Sequence, residues 1–166
     1  MIELLDLVDS NGKIIKTDVE RGESMNLGGL HVQVAIVIIM NSAGNILVHR
    51  RSRNKKVNPG YIDHACGAIQ SGESPETAGL REAEEEIGVT PKFLKLIKQG
   101  INEYNTYSYI FVGYSDETPK IVTPEEVDWV GILSPTELKE LNSSDKEKFV
   151  DGFFEDLELA LSTKKD

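Results

Sequence analysis

The sequence predicts an α/β protein in which helices cover both faces of a mixed β-sheet, a layered α/β/α arrangement. Three observations predict it: the β-branched apolar run VAIVIIM at residues 34–40, a glutamate-rich segment at 75–87 opened by a proline and closed by a glycine, and an amphipathic stripe near the C-terminus. The apolar run is far too short to span a bilayer and reads as a buried strand, so no membrane is implied. With 166 residues and 39% hydrophobic content the chain can bury a core, and no Gly/Ser- or Pro-rich linker divides it. Residues 1–166 are therefore expected to form one domain.

Taken in order, the elements begin with a hairpin near residues 3–18 that turns at Ser10-Asn11-Gly12, followed by strands near 31–40 and 45–50 joined through the turn residues Asn41 to Gly44. A strand leading into Gly67 comes next, then the acidic helix, then strands near 93–100, 106–114 and 127–132. Two helices finish the chain. The last, from about Asp145 to Ser162, sets Phe149, Phe153, Leu157 and Leu161 at intervals of four, a stripe suited to covering the sheet. Tyr104, Tyr107, Tyr109, Phe111, Tyr114 and Trp129 read as core and cross-strand packing, with a stacking platform for a planar ligand as the alternative. A single cysteine excludes an intramolecular disulfide, and the acidic start MIELLDLVD is unlike a secretion signal, so the cytoplasm is the expected compartment.

The acidic helix carries most of the chemistry. Ser74, Pro75 and Glu76 suit a helix start, and Gly88 suits its stop. At about 100° per residue, Glu82, Glu85 and Glu86 share one face, whereas Glu76, Leu80, Ala83 and Ile87 share another that should meet the core. Like charges three and four residues apart repel, by a few tenths of a kcal/mol per pair in an isolated helix. Arg81, four residues before Glu85, can hold a carboxylate through its planar fork but cannot neutralise three. Clustered carboxylates are ligands for hard divalent cations, so a site for Mg²⁺ or Mn²⁺ follows.

A second constellation reverses the local sign of charge. HRRSRNKK places Arg50, Arg51, Arg53, Lys55 and Lys56 within seven residues of a chain whose net charge is −10. The run starts near a strand end and enters a loop, where binding groups commonly sit. Arg50, Arg51, Lys55 and Lys56 are the candidates for holding substrate phosphates opposite the acidic helix. Nucleic-acid binding is disfavoured, because the overall charge is unfavourable and one basic loop makes a small footprint.

Residues 67–89 resemble the Nudix box, G-x5-E-x7-R-E-U-x-E-E-x-G-U with U apolar, and Gly67, Glu73, Arg81, Glu82, Ala83, Glu85, Glu86, Gly88 and Val89 fill every specified position. The resemblance implies the Nudix α/β/α sandwich and hydrolysis of a diphosphate linkage in a small-molecule substrate, usually a nucleoside diphosphate derivative. It also implies that Glu82, Glu85 and Glu86 bind the metal, that Arg81 orients them, and that Glu73 supports the loop. Gly67 would let backbone come near the metal. Glu85 or Glu86 is the expected general base, with Glu125 or Glu126 as the alternative. Homodimers are common in the family.

The stretch from LHVQV through SGES also resembles isopentenyl-diphosphate isomerase, a Nudix-fold enzyme whose catalytic cysteine immediately precedes the box glycine. Cys66 holds that place, and His31 matches one isomerase metal ligand. The departures count against isomerisation. Ala68 stands where those isomerases have a histidine, Tyr104 and Thr106 stand where they have carboxylates with only Glu103 close by, and the box glutamates they lack are present here. Cys66 and His64 then read as strand residues of the core. A third reading is a silent Nudix-fold module that binds nucleotide or protein, for which repulsion among three glutamates has no purpose.

Overall fold

The computed structural model describes residues 1–24 and 27–163. Strands β1 (Leu4–Val8) and β2 (Ile14–Glu20) form the expected hairpin, a two-stranded sheet of its own, and a single helical turn α1 (Arg21–Ser24) follows. Its tight turn needs Gly12 at φ 80°, and the Asp9 carboxylate accepts the Asn11 and Lys13 amides (2.9 and 3.0 Å) to close it.

The main sheet contains β3 (Gln33–Met40), β4 (Ile46–Arg51), β5 (Ile62–Asp63), β6 (Ala65–Ala68), β7 (Leu94–Ile101), β8 (Tyr107–Tyr114) and β9 (Val127–Leu133). It is mixed, because β3 and β8 run parallel over eight paired residues and the other pairings are antiparallel. β3 and β4 pair only near their turn, Ile39 with Leu47 and Met40 with Ile46, and then diverge. Residues 62–68 fill the fork. Ile62 and Asp63 run in along Arg50 and His49, and Ala65 to Ala68 run back out along Val37 to Val34. This reversal at His64 delivers Cys66 and Gly67 to the mouth of the fork.

Helix α2 (Pro75–Ile87) covers one face of the sheet, where Ala78, Ala83 and Ile87 pack on Ala35, Val37, Ile39 and Leu47. The other face meets α3 (Pro135–Ser143) and α4 (Phe153–Ser162), through Leu138, Phe153, Leu157 and Ala160 against Ile38, Met40, Ile46 and Val48. Successive residues of β3 thus feed opposite cores, as strand pleating requires. The result is the α/β/α sandwich. The hairpin packs Leu5, Leu7 and Val19 on Ala68, beside the loop that enters α2. No helix among the described residues is long and apolar enough to cross a membrane.

Two expectations need correction. The last helix begins at Phe153 rather than at Asp145. Residues 148–150 instead hold an extended contact with the sheet, in which the Ile62 amide donates to the Lys148 carbonyl and the Val150 amide to the Ile62 carbonyl, and Gly152 at φ 87° precedes the first turn. Phe149 therefore packs from outside the helix, and Leu161 is exposed. On α2, Glu76 is exposed and Leu80 only half-buried; Ala78 and Gly79 take the core positions because Gly79 admits Leu94 and Val37 closely.

The ends of α2 are fixed by local chemistry. Ser74 Oγ accepts the Thr77 amide (3.1 Å), Pro75 opens the first turn, and Gly88 at φ 74° closes the helix by donating to the Ala83 and Glu84 carbonyls. A Cβ at Gly88 would lie 2.3 Å from the Lys120 carbonyl oxygen. Gly88→Ala is therefore expected to cost at least about 2 kcal/mol, a Tm lower by roughly 5 °C. An unchanged melting curve would show that this end relaxes freely.

Candidate active site

The site forms where one face of α2 meets the strand that ends the fork. Glu82 and Glu86 are buried and Glu85 is half-buried. Glu86 Oε2 accepts the Cys66 amide (2.8 Å), which ties the helix to β6. Glu82 lies directly over Gly67: a Cβ there would fall 2.0 Å from its Oε1. Only glycine leaves room for that carboxylate.

Arg81 organises the group. Its Nε and Nη2 donate to the two oxygens of Glu73 (2.8 and 2.9 Å), Nη2 also donates to the Ala68 carbonyl (3.0 Å), and Nη1 reaches Glu82 and Glu85. The Glu73–Arg81 pair is bidentate, the strong geometry for this couple. Glu73 also accepts the Gln70 amide (3.0 Å), so the loop before α2 is braced from within. Burial favours a neutral Glu73, but the hydrogen bonds from Arg81 and Gln70 outweigh it and hold its carboxyl below the usual range. The Glu73 hydrogen bonds, together with the charge of Glu82, push the Arg81 guanidinium further up.

The remaining carboxyls are shifted the other way. Burial raises Glu82 to about 6 against the opposing pull of Arg81. Burial, then repulsion from Glu82, lifts Glu86 well above a normal carboxyl. His49 Nε2 lies 3.7 Å from Glu86 Oε2, but burial together with the charges of Arg51, His64 and Lys55 lowers the imidazole to about 3. The pair is close without being an ion pair near neutrality, because His49 is neutral there. One guanidinium thus faces three carboxylates. The donor set, hard oxygens projecting at i, i+3 and i+4 beside a glycine, suits Mg²⁺ or Mn²⁺. Among the described residues no three such groups are gathered into a finished coordination shell, since Arg81 holds Glu82 and Glu85 to itself.

A raised carboxyl makes stability depend on pH with a definite sign. Below the unfolded value Glu86 is protonated in both states and contributes nothing, whereas above it the unfolded chain releases a proton that the native protein retains, so stability falls as pH rises. Comparison with Glu86→Gln isolates this effect from His49 and His64, which act in the opposite sense. In metal-free protein the variant should melt at nearly the parent temperature at pH 4 and increasingly above it towards pH 8. A difference that shrinks with pH would place an ionised Glu86 in a favourable environment.

The basic run divides. Arg51 and Lys55 line the same cleft as Glu82, Glu85 and Glu86, a space of ≈ 590 Å³. Arg50, one residue away on a strand, faces the opposite core, where its guanidinium meets Glu147 (3.2 Å) and lies 5.8 Å from the Trp129 ring. Lys56 is exposed and outside the cleft lining. Glu126 joins the cleft and pairs with Lys55 (3.2 Å), and Thr123 Oγ1 donates to the Glu85 carbonyl (2.7 Å), so the loop before β9 is docked on α2. Glu125 is exposed outside it.

Other residues came together without a local signal in the sequence. Asp18 and Arg21, from the hairpin, line the carboxylate cleft. Asp6 accepts Ser71 Oγ and the Gly72 amide (2.8 and 3.1 Å), and these bonds outweigh its burial to keep its carboxyl low. Cys66 is half-buried and lines both this cleft and a second one of ≈ 510 Å³, as does Arg51. Its thiol is pushed well up by burial and by the Asp63, Glu86 and Glu82 charges. His64 is a core residue, stacked on Phe153 with ring centroids 4.0 Å apart. His31 lies outside both clefts, its Nδ1 2.9 Å from the Asn105 carbonyl. Trp129 packs in the C-terminal core, Tyr107 is buried, and Tyr104 lines the second cleft.

A NUDIX domain model matches residues 29–153, which span the fork, the acidic helix and the sheet that positions them. The chain belongs to the NUDIX domain family. An uncharacterised Nudix hydrolase of Listeria innocua is 32% identical over 92% of this chain and 91% of its own. An isopentenyl-diphosphate delta-isomerase of Streptomyces coelicolor is also 32% identical, over 86% of this chain and 76% of its own. Among solved structures, the crystal structure of DR0079 from Deinococcus radiodurans has a TM-score of 0.74 and 25% identity, covering 95% of this chain and 99% of that one. The same family frame thus carries hydrolases and isomerases, and the side chains must distinguish them.

Proposed function

We propose that this Nudix protein is a metal-dependent hydrolase that cleaves a diphosphate linkage, in a nucleoside diphosphate or a nucleoside diphosphate derivative, by attack of water on phosphorus. One observation carries the reading: the three box glutamates share a cleft with Arg51, Lys55 and Glu126. Glu82, Glu85 and Glu86, beside Gly67, would hold Mg²⁺ or Mn²⁺, and that ion supplies neutralisation of charge developing on the diphosphate oxygens. Arg81 and Glu73 fix the direction of the carboxylates. Arg51 and Lys55, in the same cleft, take phosphate oxygens. Glu86 is occupied by the Cys66 amide, whereas Glu85 is half-exposed, which makes Glu85 the group placed to accept the proton of attacking water. Glu126 is the alternative base.

The test is release of phosphate and nucleotide from nucleoside diphosphates, nucleoside triphosphates, nucleotide sugars, dinucleotides and isopentenyl diphosphate, with and without Mg²⁺ or Mn²⁺. Cleavage that needs the metal and disappears in Glu85→Gln supports the hydrolase. Binding without turnover supports a silent module instead. On a substrate that is cleaved, Arg51→Ala should raise KM severalfold with a smaller change in kcat, and an unchanged KM removes Arg51 from the site.

A second reading has one observation in its favour: Cys66 and Glu103 line the same second cleft, as a thiol and a carboxyl would in proton transfer to and from a prenyl diphosphate. Ala68 in place of a histidine, and a His31 turned to the Asn105 carbonyl, weigh against it. Isomerisation of isopentenyl diphosphate that survives Glu85→Gln but not Cys66→Ala would establish it.

A further inference from the structure

The second cleft is contiguous with the first. Arg51 and Cys66 belong to both walls, so a diphosphate held between the box glutamates and Arg51 has one end at the entrance to the second space. That space, ≈ 510 Å³, falls in the range of small-molecule pockets. Apolar side chains of Val34, Ile36, Ile110, Val150 and Phe153, with the exposed Ile101, form part of its lining. Three distant segments close it: the turn at residues 102–106, the stretch 150–156 entering α4, and residues 57–58 of the basic loop. Glu103 is brought against Gly152, where a Cβ would lie 2.7 Å from its Oε1, so the first two segments meet.

Its charge is opposite to that needed for more phosphate. Asp63, Glu103, Asp151, Glu155 and Asp156 line it, against Lys98 and the shared Arg51; Glu103, Asp151 and Glu155 are exposed, whereas burial raises the Asp63 carboxyl to about 7 and that of Asp156 to about 6. Asp63 Oδ2 is 3.8 Å from Arg51 Nη1, which already commits part of that arginine. The exposed carboxylates favour cations and hydrogen-bond donors and disfavour anions, with solvent screening the effect. Carboxylates interspersed with this apolar lining distinguish it from a simple hydrocarbon pocket, because a purely apolar ligand would leave any carboxylate it covers without a partner.

Resting on the hydrolase reading, we propose that the second cleft receives the organic group of the substrate and selects diphosphate monoesters with an apolar body and a cationic or amino-bearing edge against esters with a neutral alkyl group. The diphosphate lies over α2, Arg51 marks the junction, and the donor edge meets Glu103 and Asp156.

The experiment measures binding, without turnover, to the Glu85→Gln protein in Mg²⁺. Thiamine diphosphate is the cationic, amino-bearing probe and isopentenyl diphosphate the neutral one. Thiamine diphosphate should bind at least about tenfold tighter, the scale of one charge-assisted hydrogen bond. Adding Glu103→Lys, at an exposed side chain whose replacement leaves the cores untouched, should erase or invert that preference, and Asp156→Asn should reduce it. Equal or tighter binding of isopentenyl diphosphate, a preference unmoved by both substitutions, or no binding of either probe would overturn the assignment. Phosphate release by the parent protein is followed in parallel over the same probes and the nucleotide panel. Selective binding without any metal-dependent release would remove the hydrolase reading and leave the cleft's selectivity standing; release without selective binding would remove only the cleft assignment.

Discussion

Glu85→Gln should lower kcat by about two to four orders of magnitude while KM stays within a few-fold of the parent, the signature of a group that acts mainly in the transition state. The amide keeps the size and one acceptor oxygen but loses both the charge and the basicity. Glu85 is the right residue for a selective test because its structural commitments are few. Its side chain makes one long contact with Arg81, at 3.4 Å, and its helix position is secured through backbone and by Thr123. Removing Glu86 would conflate catalysis with the hydrogen bond to Cys66, and removing Glu82 would free Arg81 as well as a metal ligand. Steady-state kinetics over a range of Mg²⁺ concentrations decide the matter. A loss that excess Mg²⁺ rescues assigns Glu85 to metal affinity, and a loss confined to KM assigns it to substrate binding. Persistence of kcat would shift the base to Glu126, whose own substitution then becomes the measurement.

The site could be read from sequence where its chemistry is contiguous in the chain. Glu82, Glu85 and Glu86 lie within one and a half turns of a helix whose ends are signed by Ser74, Pro75 and Gly88, so spacing alone places them on one face. Glu73 and Arg81 are eight residues apart, yet the helix start between them fixes their approach, and the structure joins them by two hydrogen bonds. The basic run was harder. Strand alternation says that Arg50 and Arg51 face opposite ways, but not which of them faces the acidic helix. That choice depends on the fork between β3 and β4, which the insertion of residues 62–68 creates.

What sequence did not disclose is tertiary in origin. Asp6, Asp18 and Arg21 reach the box loop only because the hairpin packs on Ala68, and the hairpin's own pattern specifies a turn rather than a docking position. The last helix starts later than its stripe predicts for a related reason. Phe149 continues the four-residue stripe, but its neighbours satisfy their backbone groups on Ile62, and that interaction with the sheet overrides helical periodicity. The second cleft has no linear signature at all, because its walls come from three segments separated by dozens of residues and its charge emerges only when they meet.

Gly67→Ala is the converse test, a change of one methyl group that should be nearly as damaging as losing a carboxylate. The added Cβ would fall 2.0 Å from Glu82 Oε1 and 2.1 Å from its Cδ, well inside contact. What must yield is the end of a side chain rather than backbone, so the fold should survive, with Cys66 still bonded to Glu86 and the pairing of β6 with β3 retained. The displaced carboxylate has Arg81 as its existing partner and should follow it away from the shared face. The expected result is a kcat lower by about a hundredfold or more with a higher Mg²⁺ requirement, because removal of one preorganised charge-stabilising group costs on that scale. Circular dichroism and melting of the metal-free protein should change little. A second substitution, Gly67→Ala with Glu82→Asp, withdraws the carboxylate by one methylene and should restore part of the activity that Gly67→Ala removes. Full activity of Gly67→Ala would mean that Glu82 need not lie over this glycine during catalysis, whereas global destabilisation with no rescue would make Gly67 a packing residue of the fork.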